Sequence, residues 1–102
     1  MNISELTPII KKLKEQYVEH YNIEDTDTDW TIFKLQEELG EFVQAYLNQT
    51  GRNRRTPESP GKAKKDTAHE LADVFCFVLL VADQLDIDIE EAVKEKWFTY
   101  LK

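Results

Sequence analysis

The feature that most constrains this sequence is an uninterrupted apolar run from Val74 to Ala82. Because an α-helix turns by about 100° per residue, the side chains of this run surround the helix completely, and such a helix is buried on most sides. The chain has only 102 residues, so the rest of it is too short to enclose this helix fully. We therefore expect a second subunit to complete the burial, and predict a homo-oligomer, either a dimer or a tetramer.

The remainder of the sequence also predicts helices and no strand. Thr7 followed by Pro8 is a favourable helix start, because proline lacks only an N–H that has no partner in the first turn. Asp88 and Glu91 have the spacing of a helix cap and its third residue. The expected helices lie at about residues 7–22, 29–48, 67–85 and from 88 onward. We predict an all-α fold, a four-helix bundle-like protomer in a single domain spanning residues 1–102.

The segment between the second and third expected helices differs in charge from the rest of the chain. We expect a loop at about residues 49–65, because this stretch is rich in glycine, proline and polar residues. Residues 51–65 carry six basic residues and a single acidic one, Glu58, whereas the whole chain has 13 basic and 20 acidic residues and a net charge of -7. The loop is therefore a positively charged segment in an otherwise acidic protein.

Composition narrows the range of partners. A net acidic chain lacks the basic face with which general nucleic-acid-binding proteins displace counterions from phosphates, so we expect no nucleic-acid partner. The apolar run is far shorter than the roughly 20 residues that span a bilayer, and the first residues lack a secretory pattern, so we expect no membrane association and a cytoplasmic location. The single cysteine, Cys76, argues against an intrachain disulfide framework and a multi-cysteine zinc site.

Two pairs of acidic residues at helical spacing form the candidate chemical site. Glu38 and Glu41 lie three positions apart in the second expected helix, and Glu70 and Asp73 have the same spacing in the third. Residues three apart are separated by roughly 60° around a helix, so each pair presents both carboxylates to one side. If the two helices pack antiparallel, four carboxylates converge and repel one another unless a cation binds. An all-oxygen set of ligands suits Mg²⁺, with Mn²⁺ as a substitute.

Each of these acids also has a purely structural interpretation. Acidic pairs at this spacing are expected by chance in so acidic a chain, and can be solvated helix surface. Thr67 and Glu70 have the spacing of a capping box, in which Glu70 would bond to the start of its own helix. Lys34 and Glu38 could equally form an i,i+4 ion pair.

Two motifs resemble those of one enzyme family. Residues 37–41 read EELGE and residues 70–73 read ELAD, which look like the E-E-x-x-E and E-x-x-D motifs of the MazG-like nucleoside triphosphate pyrophosphohydrolases, members of the all-α NTP pyrophosphatase superfamily. The intervening residues 42–69 fit the variable loop of that family, and residues 85–92 resemble its turn into the last helix. The resemblance covers roughly residues 30–96.

The resemblance implies an enzyme, a hydrolase acting on phosphoric anhydrides. It implies hydrolysis of (deoxy)nucleoside triphosphates between the α- and β-phosphates to a monophosphate and pyrophosphate, with a house-cleaning role in the nucleotide pool. It also implies active sites assembled in an oligomer, with Glu37 and Glu38 as candidate catalytic residues; Glu37 either orients the attacking water or is a surface residue. The implied Mg²⁺ ligands are Glu38, Glu41, Glu70 and Asp73.

A triphosphate substrate needs positive charge besides that of the metal, because two Mg²⁺ ions would only neutralise the four carboxylates. The basic loop and the last expected helix offer such charge, and we take Arg55 and Lys96 as candidate phosphate ligands, together with Lys34. Trp30 lies on the same helix stripe as Lys34, and either stacks on the nucleobase or packs the start of its helix. After Lys96 the sequence departs from the polar ending typical of the family.

A second hypothesis, from a different class, is a non-enzymatic helical module whose apolar third helix serves oligomerisation or interaction. It predicts solvated acid pairs and no bound metal. The two hypotheses differ in the effect of Mg²⁺ on thermal stability, because a ligand that binds the native state must stabilise it.

Overall fold

Residues 1–53 and 59–102 are described by the structure, a computed structural model. Within these ranges the chain forms four α-helices and no strand, which confirms the expected all-α fold. The α-helices are α1 (Ile3–His20), α2 (Thr28–Gln49), α3 (Pro60–Gln84) and α4 (Ile89–Trp97), followed by a 3₁₀ turn at Phe98–Tyr100. Over the same ranges, no helix is long and apolar enough to cross a membrane.

The first helix begins earlier than its proline predicts. The prediction of a start at Thr7 and Pro8 is wrong, because Asn2 caps the helix and Pro8 lies inside it. The side-chain oxygen of Asn2 accepts a hydrogen bond from the Glu5 N–H at 2.9 Å, which satisfies a donor that would otherwise have no partner. The end agrees with expectation, since Asn22 follows the helix in a left-handed conformation with φ of 53°.

The third helix also begins earlier than expected, at Pro60, and Ser59 precedes it. Thr67, the predicted start, lies inside the helix, where its hydroxyl donates to the carbonyl oxygen of Ala63 at 3.0 Å. The capping-box interpretation of Glu70 is therefore wrong, because Thr67 is not at a helix terminus. The part of the basic segment from residue 60 onward is helical and not loop.

The second and fourth helices start where the sequence predicts, within a residue or two. Asp27 caps α2 by accepting a hydrogen bond from the Trp30 N–H at 2.9 Å. Asp88 caps α4 by accepting from the Glu91 N–H at 3.1 Å, as predicted from the spacing of these two residues.

The pair formed by α2 and α3 organises the protomer. The two helices run antiparallel, because Trp30 near the start of α2 lies beside Phe77, with ring centroids 6.4 Å apart, while Glu38 further along α2 lies beside the earlier residue Asp73. The helix α1 packs on the C-terminal half of α3, where Lys11 forms a 3.3 Å ion pair with Asp83. The helix α1 therefore lies on one side of the α2–α3 pair.

Among the described residues the buried apolar core is small. It consists of Ala63, Leu79, Leu80 and Ala82, and the polar Thr31 is also fully buried. Only part of the apolar run is covered by the protomer itself, since Phe75 near its start keeps 45% of its surface exposed.

Candidate active site

The antiparallel α2–α3 pair brings the predicted acidic residues together. Carboxylate oxygens of Glu38, Glu70 and Asp73 all lie within 4.8 Å of one another, and so do those of Glu37, Glu38 and Glu41. Glu38 belongs to both groups, so it joins the acids of α2 to those of α3. We call these five residues the acidic cluster.

Burial divides the acidic cluster into an inner and an outer part. The Glu38 side chain keeps only 12% of its surface exposed, whereas that of Glu37 keeps 56%. Glu70 is half-buried, and Glu41 and Asp73 are exposed. The cluster is therefore open to solvent on one side and closed on the other, as a site that admits a ligand from solution must be.

The inner carboxylates hold their protons unusually tightly. Burial, followed by hydrogen bonding with Glu41 and the negative charges of Glu41 and Asp73, raises the pKa of Glu38 to about 7, and the positive charge of Lys34 only partly opposes this. Burial and the negative charges of Asp73 and Glu41 also raise the pKa of Glu70. Buried carboxylates with raised pKa values beside specific charged neighbours are typical of functional sites.

Two buried carboxylate oxygen atoms are the feature of the cluster that points most clearly to a ligand. The Oε2 atoms of Glu38 and Glu70 are buried, and neither has a hydrogen-bond partner within the described part of the chain. Unpartnered buried polar atoms are rare because each costs about 1–3 kcal/mol or more. Carboxylate oxygens are the ligands that Mg²⁺ and Mn²⁺ prefer, so the donor set fits a hard divalent cation.

Lys34 lies at the edge of the acidic cluster. Its Nζ atom is 2.6 Å from Glu37 Oε1 and 4.0 Å from Glu38 Oε1. Partial burial acts to lower the pKa of Lys34, but the hydrogen bond to Glu37 and nearby negative charges outweigh it and raise the pKa. The ion pair between Lys34 and Glu38, which the sequence offered as an alternative interpretation, is present at 4.0 Å, but the shorter contact of Lys34 is to Glu37.

Next to Glu38, a groove of about 260 Å³ runs between α1, α2 and α3. Its walls are almost entirely apolar, and Trp30 and Phe77 form part of them. We call it the aromatic groove; its lining residues are Ile10, Leu13, Lys14, Tyr17, Trp30, Lys34, Glu38, Cys76, Phe77 and Leu80. Trp30 both packs against Phe77 and faces this cavity, so the two interpretations of Trp30 are compatible.

The sequence did not identify the contribution of α1 to this groove. Lys14 lies over the Trp30 ring, with Nζ 5.5 Å from the ring centroid, a distance at which a cation is attracted to the ring face. Tyr17 lines the same groove, although its spacing indicated only an apolar helix face. One sequence feature does indicate this contribution: Lys14 and Tyr17 are three residues apart, which places them on the same side of α1.

The structure does not bring every predicted phosphate ligand to the cluster. Arg55 lies outside the described residues. Lys96 is exposed in the last turn of α4, and no contact in the described ranges connects it with the acidic cluster. Lys34 is the predicted phosphate ligand that does lie at the site.

The fold and the acidic cluster define a class of protein, the MazG-like all-α NTP pyrophosphohydrolases, whose two acidic motifs lie here on antiparallel helices. The family model described as Phosphoribosyl-ATP pyrophosphohydrolase matches residues 3–96, from the start of α1 almost to the end of α4, and the chain therefore belongs to this family within that superfamily. Family membership indicates a pyrophosphohydrolase. No curated protein and no solved structure matches the chain significantly.

Proposed function

We propose that this chain hydrolyses the bond between the α- and β-phosphates of a nucleoside triphosphate, releasing a monophosphate and pyrophosphate in a Mg²⁺-dependent reaction. The observation that carries the proposal is the pair of buried, unpartnered oxygen atoms of Glu38 and Glu70 inside the acidic cluster. Family membership supports the reaction class.

The residues proposed to hold the metal are those of the two acid pairs: Glu38, Glu41, Glu70 and Asp73. Together they supply more negative charge than one divalent ion neutralises, so the cluster has a strong electrostatic demand for cations. When bound, Mg²⁺ polarises phosphoryl oxygens and offsets the charge that develops on the phosphates. Mn²⁺ has the same preference for oxygen ligands and is expected to substitute.

Glu37 and Glu38 have distinct proposed roles. Glu37 is exposed and salt-bridged to Lys34, so its carboxylate is able to accept a hydrogen bond from water and orient it for attack. Glu38 is buried at the junction of the two acid pairs, where it positions the metal and stays within reach of Glu37. Lys34 contacts both residues, and we propose that it also contributes positive charge toward the phosphates.

The aromatic groove is the proposed site for the nucleobase. It adjoins Glu38, so a base held there would place its attached phosphates toward the acidic cluster. The indole of Trp30 offers a flat apolar surface for stacking, and stacking on an aromatic ring tolerates every base. Arg55 and Lys96 stay predictions as additional phosphate ligands.

A substrate panel tests the proposal most directly. Pyrophosphate release should be measured with Mg²⁺ on phosphoribosyl-ATP, ATP and the other ribo- and deoxynucleoside triphosphates. Activity on phosphoribosyl-ATP alone would indicate the reaction for which the family is described, and activity across several triphosphates would indicate house-cleaning. No pyrophosphate from any substrate, with no effect of Mg²⁺ on stability, would support the non-enzymatic interaction module instead.

We also propose that the protein works as a homo-oligomer. The protomer leaves many large apolar side chains exposed, including Phe75 in the run that the sequence predicts to be buried. Self-association is the expected way to cover them.

A further inference from the structure

Lys14 is a half-buried cation that has no carboxylate partner in the described parts of the chain. Its Nζ atom lies 5.5 Å from the centroid of the Trp30 ring, and within residues 1–53 and 59–102 no carboxylate forms an ion pair with it. None of the residues three or four positions away on α1 is acidic, so its own helix offers no partner. Lys11, by contrast, pairs with Asp83 at 3.3 Å. Because taking a charge out of water without a partner costs free energy, Lys14 is a candidate for contact with a ligand.

Lys14 belongs to the end of the aromatic groove that is distant from the acidic cluster. Trp30 precedes Glu38 by eight residues on α2, which corresponds to about 12 Å along the helix axis. The charged residues in the described lining of the groove are Lys14, Lys34 and Glu38. Lys34 and Glu38 lie at the cluster, with Nζ and Oε1 4.0 Å apart, whereas Lys14 has its charged atom over the Trp30 ring. The ammonium group of Lys14 is therefore placed to meet a base and not the phosphates.

The distance between Lys14 and the Trp30 ring is compatible with a base stacked on that ring. A flat ring stacked on Trp30 lies about 3.5–4.0 Å from it, the contact distance between carbon atoms. Lys14 Nζ is 5.5 Å from the ring centroid, so it does not occupy the centre of this layer. Since the lysine side chain is a flexible four-carbon stem, a small rotation brings the ammonium group to the edge of the stacked base.

An ammonium group at the edge of a base favours one kind of chemical group there. It has three hydrogen-bond donors and no acceptor. Guanine offers the acceptors O6 and N7, and thymine offers O4, as uracil does, whereas adenine and cytosine carry amino donors at the corresponding positions. Stacking on the indole tolerates every base, so any discrimination between bases depends on the groups that meet their edges.

We propose that Lys14 makes the aromatic groove selective for bases that carry a carbonyl oxygen at this edge, namely guanine, hypoxanthine, uracil and thymine, over adenine and cytosine. The ammonium group donates a hydrogen bond to that oxygen, whereas an amino group at the same position would bring two donors together. This inference rests on the proposed function, because it takes the aromatic groove as the site of the base. It adds the class of base, and it assigns recognition to a residue of α1, outside the two acidic motifs.

Two pairs of substrates test the inference, because the members of each pair differ in whether one position of the base carries an oxygen or an amino group. The purine pair is ITP and ATP, and the pyrimidine pair is UTP and CTP. With Mg²⁺, kcat/KM for pyrophosphate release should be at least about tenfold higher for ITP than for ATP and for UTP than for CTP, the effect of one hydrogen bond to a charged group. The difference should lie mainly in KM, because Lys14 is distant from the phosphates.

Variants of the α1 lysines show whether Lys14 is responsible. Lys14→Met removes the donors but keeps a long unbranched side chain in the groove, and both ratios of kcat/KM should fall to about one. Lys14→Arg keeps the positive charge and the donors, and should retain the preference. Lys12→Met is the matched control, because Lys12 is an exposed lysine of the same helix and is not among the described residues that line the groove. Its ratios should equal those of the wild type.

A binding measurement separates this inference from the proposed function. The dissociation constants of IMP, AMP, UMP and CMP, measured by titration calorimetry, do not depend on catalysis and should show the same two preferences. A chain that releases no pyrophosphate but keeps these preferences would refute the proposed function alone. If IMP and UMP bind no more tightly than AMP and CMP, or if Lys14→Met keeps the wild-type preference, the inference is overturned, even in an active enzyme.

Discussion

Replacing Glu38 with glutamine should stabilise the metal-free protein at alkaline pH. Burial, more than any other cause, raises the pKa of Glu38 from 4.5 to about 7. Because the folded protein holds this proton more tightly than the unfolded chain does, its contribution to stability is complete below pH 4.5 and is lost as the pH rises through 7. Glutamine is neutral at every pH, so the variant avoids this loss.

The size of the effect follows from the difference between the two pKa values. A rise from 4.5 to about 7 corresponds to up to about 3 kcal/mol of unfolding free energy. Each kcal/mol moves the melting temperature of a domain of this length by roughly 4–8 °C. The melting temperature of Glu38→Gln should therefore exceed that of the wild type at alkaline pH without metal, by up to roughly 12–24 °C.

The assay is thermal unfolding followed by circular dichroism in a chelator, at about pH 4 and about pH 8.5, on either side of both pKa values. The gain should appear at the higher pH and vanish at the lower one. Glu37→Gln is the matched control, because Glu37 is the adjacent residue but keeps 56% of its side chain exposed, and breaking an exposed ion pair changes stability by no more than about 1 kcal/mol. A Glu38→Gln variant that is no more stable than the wild type at the higher pH would refute the electrostatic account of the cluster.

Three further predictions concern function. Glu41→Gln and Asp73→Asn should each abolish Mg²⁺-dependent pyrophosphate release with little loss of helix content, since both side chains are exposed; a fully active variant would show that its residue is not a metal ligand. Trp30→Ala should raise KM more than it lowers kcat if the ring only holds the base, and unchanged kinetics would leave Trp30 with packing alone. Mg²⁺ should raise the melting temperature more at pH 8 than at pH 6, because the ion competes with the proton that Glu38 holds up to about pH 7; equal shifts would show that Glu38 is not a ligand.

The sequence predicted the four helices correctly, but it placed the starts of α1 and α3 too late. Both outcomes have the same physical reason. Periodicity over many residues identifies a helix, whereas a start depends on one local cap among several candidates. Thr7–Pro8 is a favourable start, but Asn2 accepts a hydrogen bond from Glu5 one turn earlier and the helix extends to it. Similarly, Ser59 and Pro60 begin α3 ahead of the plausible cap at Thr67.

The acidic cluster was predictable because each acid pair has a three-residue spacing, which places both carboxylates on one side of its helix. A single further assumption, that the two helices pack antiparallel, brings the two pairs together. The differences within the cluster were not predictable. Spacing does not reveal that Glu38 is buried while Glu37 is exposed, or that Lys34 makes its shorter contact with Glu37. The aromatic groove depends on where α1 packs, and such long-range packing leaves no local pattern around Lys14 in the sequence.

The central claim is that carboxylates from α2 and α3 together bind a divalent cation. The most direct test is to titrate the wild type and Asp73→Asn with Mg²⁺ and to measure the melting temperature of each. The wild-type melting temperature should rise continuously through millimolar Mg²⁺, by the equivalent of about 2.7 kcal/mol at a hundredfold excess over the dissociation constant, and Asp73→Asn should respond far less. A wild-type melting temperature that does not change with Mg²⁺, or an equal rise in both proteins, would contradict the claim.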